Sequence, residues 1–148
     1  MPDLLTRIAA ALAELGVSHV CHHDCIHVPL AAACGVLEVK LWPDGTDSIQ
    51  LLDGDFHTHL DLLALAYGVE RDAAFVHFLR KVLDAELLLI RETTAAGVTR
   101  TTIVESLEEY LGYLPGGASY QMLNKNGVEG VPLQTGHRGT AWLARSRR

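Results

Sequence analysis

At 148 residues and 16.1 kDa the chain has room for one domain with a substantial core, not for two of ordinary size. Apolar residues make up 49% and charged residues 20%, which excludes wholesale disorder, and no apolar run approaches the length of a membrane span. The net charge of −6 is uneven: residues 1–124 hold 17 acidic and 7 basic side chains (−10), and residues 125–148 hold 1 and 5 (+4).

An acidic body is poorly matched to nucleic-acid phosphates and better matched to a basic protein partner. Contact with nucleic acid is expected only through the basic tail, with Arg138, Arg145, Arg147 and Arg148. The N-terminus lacks the basic start and apolar stretch of a secretory signal. Three cysteines, Cys21, Cys25 and Cys34, form no even disulfide framework, and a cytoplasmic location is expected.

Residues 3–15 are expected to be a helix: Leu4, Ile8, Leu12 and Leu15 recur with helical spacing, Asp3 caps the start and Gly16 ends it. A strand is expected from Val17 to about His23, with a turn at Asp24. Val36–Trp42 alternates apolar and polar residues, Pro43-Asp44-Gly45 is turn chemistry, and Ser48–Leu52 returns, which together predict a hairpin. Helices follow at about 60–67, ended by Gly68, and at about 71–85, with Phe75, Phe78, Leu79, Val82 and Leu83 as the buried stripe. A second hairpin is predicted from 86–94 and 98–104 around Ala95-Ala96-Gly97, and Ser106 to Glu109 has capping-box spacing for a last helix to Leu114. The domain core is expected over 1–123. The glycine-rich segment 124–148 is expected to be either one more strand, at 140–143, or a tail.

The chemistry-bearing residues fall in two windows. In His19–His27 every odd position is histidine or cysteine, so an extended stretch would put His19, Cys21, His23, Cys25 and His27 on one face. A helix would instead pair Cys21 with Cys25 and His23 with His27. Either way the window supplies half of a zinc-type site, with Cys21, His23 and Cys25 as candidate ligands. The second window is His57-Thr58-His59 with Asp61, two imidazoles and a carboxylate that could hold a divalent metal and activate its water. The structural alternative is a helix start capped by Asp55 or Thr58, with the histidines exposed. Cys34 is expected to be a core residue, and there is no phosphate-binding or dinucleotide fingerprint.

His57-Thr58-His59 with Glu38 upstream resembles the core of JAMM-type metalloproteases. That resemblance implies Glu38 as the base and His57 and His59 as ligands, although Tyr67 and Glu70 stand where that family has serine and aspartate. Other segments resemble YbaK/ProX aminoacyl-tRNA editing domains: Leu15-Gly16-Val17 with His19 and His23, Leu60-Asp61-Leu62-Leu63-Ala64, and Gly116-Gly117-Ala118-Ser119, with Tyr120 in the place of a proline. This implies a deacylase pocket around Lys40, His23 and the glycine loop. The broadest similarity is to small bacterial α+β domains, some of them immunity-protein-like. It is carried by Trp42-Pro43-Asp44-Gly45, His57-Thr58-His59-Leu60-Asp61, Phe78-Leu79-Arg80 and Val104-Glu105-Ser106.

The expectation is therefore one α+β domain, an antiparallel sheet of four to five strands built from two hairpins, with helices mainly on one face. The first functional expectation is an accessory domain binding a protein partner through its acidic surface. The second is an aminoacyl-tRNA deacylase. The third is a hydrolase dependent on zinc or another divalent metal, with His57, His59, Asp61 and Glu38 as catalytic candidates.

Overall fold

The computed structural model describes residues 3–30, 34–52 and 54–124. The chain divides into two compact units, Met1–Lys81 and Val82–Arg148. Both combine helices with antiparallel strands, so the chain is α+β.

The first unit opens with α1 (Leu4–Glu14), where Asp3 Oδ1 accepts the Thr6 N–H at 2.8 Å and so satisfies one of the unpaired donors of the first turn. Ile8 and Leu12, one turn apart, are fully buried. Five strands follow: β1 (Val20–Cys21), β2 (Cys25–Pro29), β3 (Val36–Leu41), β4 (Asp47–Leu52) and β5 (His57–Thr58). They pair in chain order, each antiparallel to the next. The expected turn joins β3 to β4: Asp44 Oδ1 accepts the Thr46 N–H at 3.0 Å, and Gly45 takes φ +88°, a conformation that other residues adopt only with strain.

Register sorts the two faces of this sheet. Ile26, Val39 and Ile49 stand side by side, as do Val28, Leu37 and Leu51, and all six are buried. Each such side chain contributes about 1.5–3 kcal/mol of burial, and a one-residue slip would expose them all. The polar residues between them are thereby fixed on the opposite face. After β5 come α2 (Leu60–Tyr67), ended by Gly68 at φ +69°, and α3 (Arg71–Leu83), which crosses the boundary between the units. Phe56 stacks on Phe78 at 5.6 Å between ring centroids.

In the second unit β6 (Leu88–Thr93) lies between β7 (Thr99–Val104) and β8 (Ser119–Met122), and α4 (Leu107–Tyr113) connects β7 to β8. Leu88, Ile90, Leu107, Leu111, Tyr120 and Met122 form its core. Ser106 caps α4 by accepting the Glu109 N–H at 3.2 Å. Asn124 closes the described chain: its Oδ1 accepts the Leu89 N–H, and its Nδ2 donates to the carbonyls of Val82 and Leu87.

The elements depart from the sequence expectation in two places. The expected strand at 17–23 is two residues long, because the chain reverses at His22–Asp24 and sends Cys25–Pro29 back as β2. β8 was not expected; it occupies the second edge of β6, so the second hairpin belongs to a three-stranded sheet of its own, distinct from the five-stranded one. The strand expected at 140–143 and the tail lie outside the described residues. None of the described helices is long and apolar enough to cross a membrane.

Candidate metal centre

The reversal at His22–Asp24 decides which side chains meet. In β2, Cys25 and His27 are two residues apart and share the polar face. Register places His27 opposite Glu38, Glu38 opposite Gln50, and Gln50 opposite His57, one row running across four strands. Cys21 is opposite Ile26, so it belongs to the other face, and the single-face arrangement of five ligands does not form.

Within this row three donors converge. His27 Nε2–H donates to Glu38 Oε2 at 2.8 Å, and Cys25 Sγ lies 3.6 Å from the same nitrogen. The three ligand atoms lie within 4.8 Å of one another, and this is the one such triad of histidine, cysteine or carboxylate among the described residues. Gln50 Nε2 donates to Glu38 Oε1 at 2.8 Å and fixes the plane of the carboxylate. Cys25 and Glu38 are buried, while His27 is half-buried.

Burial works to raise the Glu38 carboxyl, but the hydrogen bonds from His27 and Gln50 outweigh it, and the group is held below the usual carboxylate range. Burial, with the negative charges of Glu38 and Asp24, pushes the Cys25 thiol up. Lys40, opposite Cys25, is turned to other partners: its Nζ is 3.6 Å from Asp24 Oδ2 and 4.3 Å above the Trp42 ring.

Two chemistries use cysteine, histidine and a carboxylate together. A nucleophilic triad needs the imidazole to take the thiol proton on one nitrogen and be held by the carboxylate through the other. Here one nitrogen faces both partners, and the thiol is disfavoured as a thiolate. Metal binding needs convergence on a single point. Around tetrahedral zinc, neighbouring donors lie about 3.3–3.6 Å apart. The sulfur–nitrogen distance already has that value, and the nitrogen–oxygen distance must open by about 0.5 Å as the ion replaces the shared proton.

The second window is put to a different use. His57 is exposed, and its ring stands edge-on to that of His59 with centroids 4.5 Å apart. His59 Nδ1–H donates to the backbone carbonyl of Asp47 at 2.6 Å, and the Asp61 carboxylate accepts its neighbour's Leu62 N–H at 2.9 Å. Neither Asp55 nor Thr58 caps α2. The cap comes from the sheet, where the buried Asp47 accepts the Leu60 N–H at 2.6 Å and pairs with Arg71 at 2.8 Å. His23 and Cys21 are exposed, Cys34 is buried, and none of the three cysteines is in a disulfide.

The triad thus draws Cys25 from the first window and Glu38 from the hydrolase expectation; His27, which the sequence placed in the first window but not among its candidate ligands, completes it, and Gln50, not singled out at all, holds Glu38. The signal for His27 was its i+2 spacing from Cys25 in a strand. Nothing local marks Gln50, whose role exists only through register.

The second unit holds a separate buried polar group. Glu92, opposite Arg100 and Tyr120, accepts the Tyr110 O–H at 2.7 Å and has Arg100 Nη2 3.1 Å away as an ion pair. Burial and the bond to Glu92 raise the Tyr110 phenol, and burial pushes Tyr120 up to about 12. Gly117, at φ +79°, is also closely approached: a Cβ there would be 3.0 Å from Ala95 Cβ, which would have to give way by a few tenths of an ångström. Comparison with family models, with curated proteins and with solved structures finds no match to this chain.

Proposed function

We infer that the protein binds a transition-metal ion of the zinc class through Cys25 Sγ, His27 Nε2 and Glu38 Oε2. The observation that supports this most is the approach of a buried cysteine sulfur and a buried carboxylate oxygen to the same imidazole nitrogen, three unlike donors within 4.8 Å of one another. A thiolate, an imidazole and a carboxylate match the preferences of zinc and its neighbours better than those of magnesium or calcium, which take oxygen shells. This keeps the metal-dependent reading of the sequence and moves its centre from His57 and His59 to the β2–β3 face. The partner-binding and deacylase readings rest on the sequence alone.

Loading an ion displaces the Cys25 thiol proton, while the neutral His27 ring frees Nε2 by carrying its proton on Nδ1, so affinity rises with pH through the thiol. The test is a zinc titration of chelator-stripped protein against a chromophoric chelator. One equivalent should bind with an affinity lost in Cys25→Ser and Glu38→Gln but kept in a His57→Ala/His59→Ala variant. Uptake abolished only in the last variant would overturn the assignment.

A further inference from the structure

We propose that His22 is the fourth ligand of this centre, closing it into a cysteine–histidine–histidine–glutamate tetrahedron; the proposal rests on the metal-centre reading above. The hairpin register carries it. Val20 is opposite His27 and Cys21 opposite Ile26, so the next pair is His22 with Cys25, and the His22 N–H does donate to the Cys25 carbonyl at 2.8 Å. By the period of two, His22 continues the face of Val20, the face that carries Cys25, His27 and Glu38. Its ring already stands against His27, with centroids 4.6 Å apart and planes at 61°.

Two imidazoles bound to one tetrahedral zinc have centroids about 5 Å apart, given Zn–N bonds of about 2.0–2.1 Å. His22 is not among the donors that already lie within 4.8 Å of one another, so its ring must turn as the ion binds to bring a nitrogen to the shared point, from an exposed turn that can allow it. Residues 22, 25, 27 and 38 would then supply four donors from the β1–β2 hairpin and β3, filling the position a catalytic site would leave to water. The centre assigned here is a closed one. It holds its ion and clamps the β1–β2 hairpin to the sheet, and it does not activate a water molecule.

Cobalt(II) loading of the full chain tests this, because four-coordinate cobalt has intense visible bands that fade when water raises the coordination number. The wild type should show the tetrahedral spectrum at one equivalent. His22→Ala should still bind one equivalent, with weaker bands and a zinc affinity lower by at least about tenfold, while its metal-free circular dichroism is unchanged. His23→Ala, one residue along the same exposed turn, should behave as the wild type. A His22→Ala protein with wild-type affinity and spectrum, or a change found only in His23→Ala, would overturn the role of His22 and leave the three-ligand centre standing. Wild-type protein that takes up neither cobalt nor zinc would remove the centre itself.

Discussion

Replacing Asp47 with alanine should destabilise the first unit by about 1–4 kcal/mol. Asp47 begins β4 and is 4% exposed. Its Oδ1 holds the buried Leu60 N–H at 2.6 Å, an orphan donor at the start of α2 with no cap from His59. Leaving that N–H unsatisfied costs about 1–3 kcal/mol. Its Oδ2 pairs with Arg71 at 2.8 Å, but the arginine side chain is 40% exposed, so this arm adds no more than about 1 kcal/mol. Asp47→Asn keeps an acceptor for Leu60 and loses only the charge, so it should cost about 1 kcal/mol. Urea unfolding followed by Trp42 fluorescence reports on this sheet, since Trp42 Nε1–H donates to Ser48 beside Asp47 in β4. A Trp142→Phe background removes the other indole. An alanine variant within 0.5 kcal/mol of wild type, or an asparagine variant as damaging as alanine, would refute the reasoning.

Two further outcomes follow from the same geometry. Glu38 has a folded pKa below its unfolded value, so its ionised form contributes stability above the unfolded carboxylate range, and this is lost as pH falls through the folded pKa. Metal-free wild type should therefore exceed Glu38→Gln in stability near neutrality, with the advantage shrinking below about pH 4; parallel stability–pH curves would contradict this. In the second unit, Gly117→Ala should cost more than Gly97→Ala. Both sites have positive φ, worth about 1 kcal/mol, but only Gly117 has a neighbour, Ala95, that the new methyl would meet at 3.0 Å. Equal losses in denaturant midpoint would show that the close approach is not felt.

The sequence was most informative where one local rule acted alone. The β3–β4 hairpin follows from alternation plus Pro43-Asp44-Gly45, α1 from its apolar spacing and Asp3, and α4 from Ser106 and Glu109. It misled where two readings competed for the same residues. The odd-position pattern from His19 to His27 gives one face only if the stretch is extended throughout, and the turn expected at Asp24, closed by the His22–Cys25 backbone bond, instead puts Cys21 and Cys25 on different strands and faces. β8 was missed because Pro115-Gly116-Gly117 reads as a stop, and Ser119–Met122 is too short to show alternation against that background.

The candidate site was legible by residue type and not by partnership. Cys25 and Glu38 were both singled out, but for different sites, since their meeting depends on the register that sets His27 opposite Glu38. The attraction of His57-Thr58-His59-Asp61 lay in its spacing. Its chain passes from a two-residue strand into a helix start, which sends His59 to the Asp47 carbonyl and Asp61 to its own helix. Asp47, which holds that helix start from 13 residues away, carries no local signature at all.

X-ray absorption at the zinc edge of the loaded, full-length protein tests the central claim most directly. The expected shell has one sulfur at about 2.3 Å and nitrogen or oxygen donors at about 2.0–2.1 Å, the sulfur being Cys25 and absent in Cys25→Ser. A shell of nitrogen and oxygen alone, unchanged by Cys25→Ser, would contradict the β2–β3 centre and return the metal to the second histidine window.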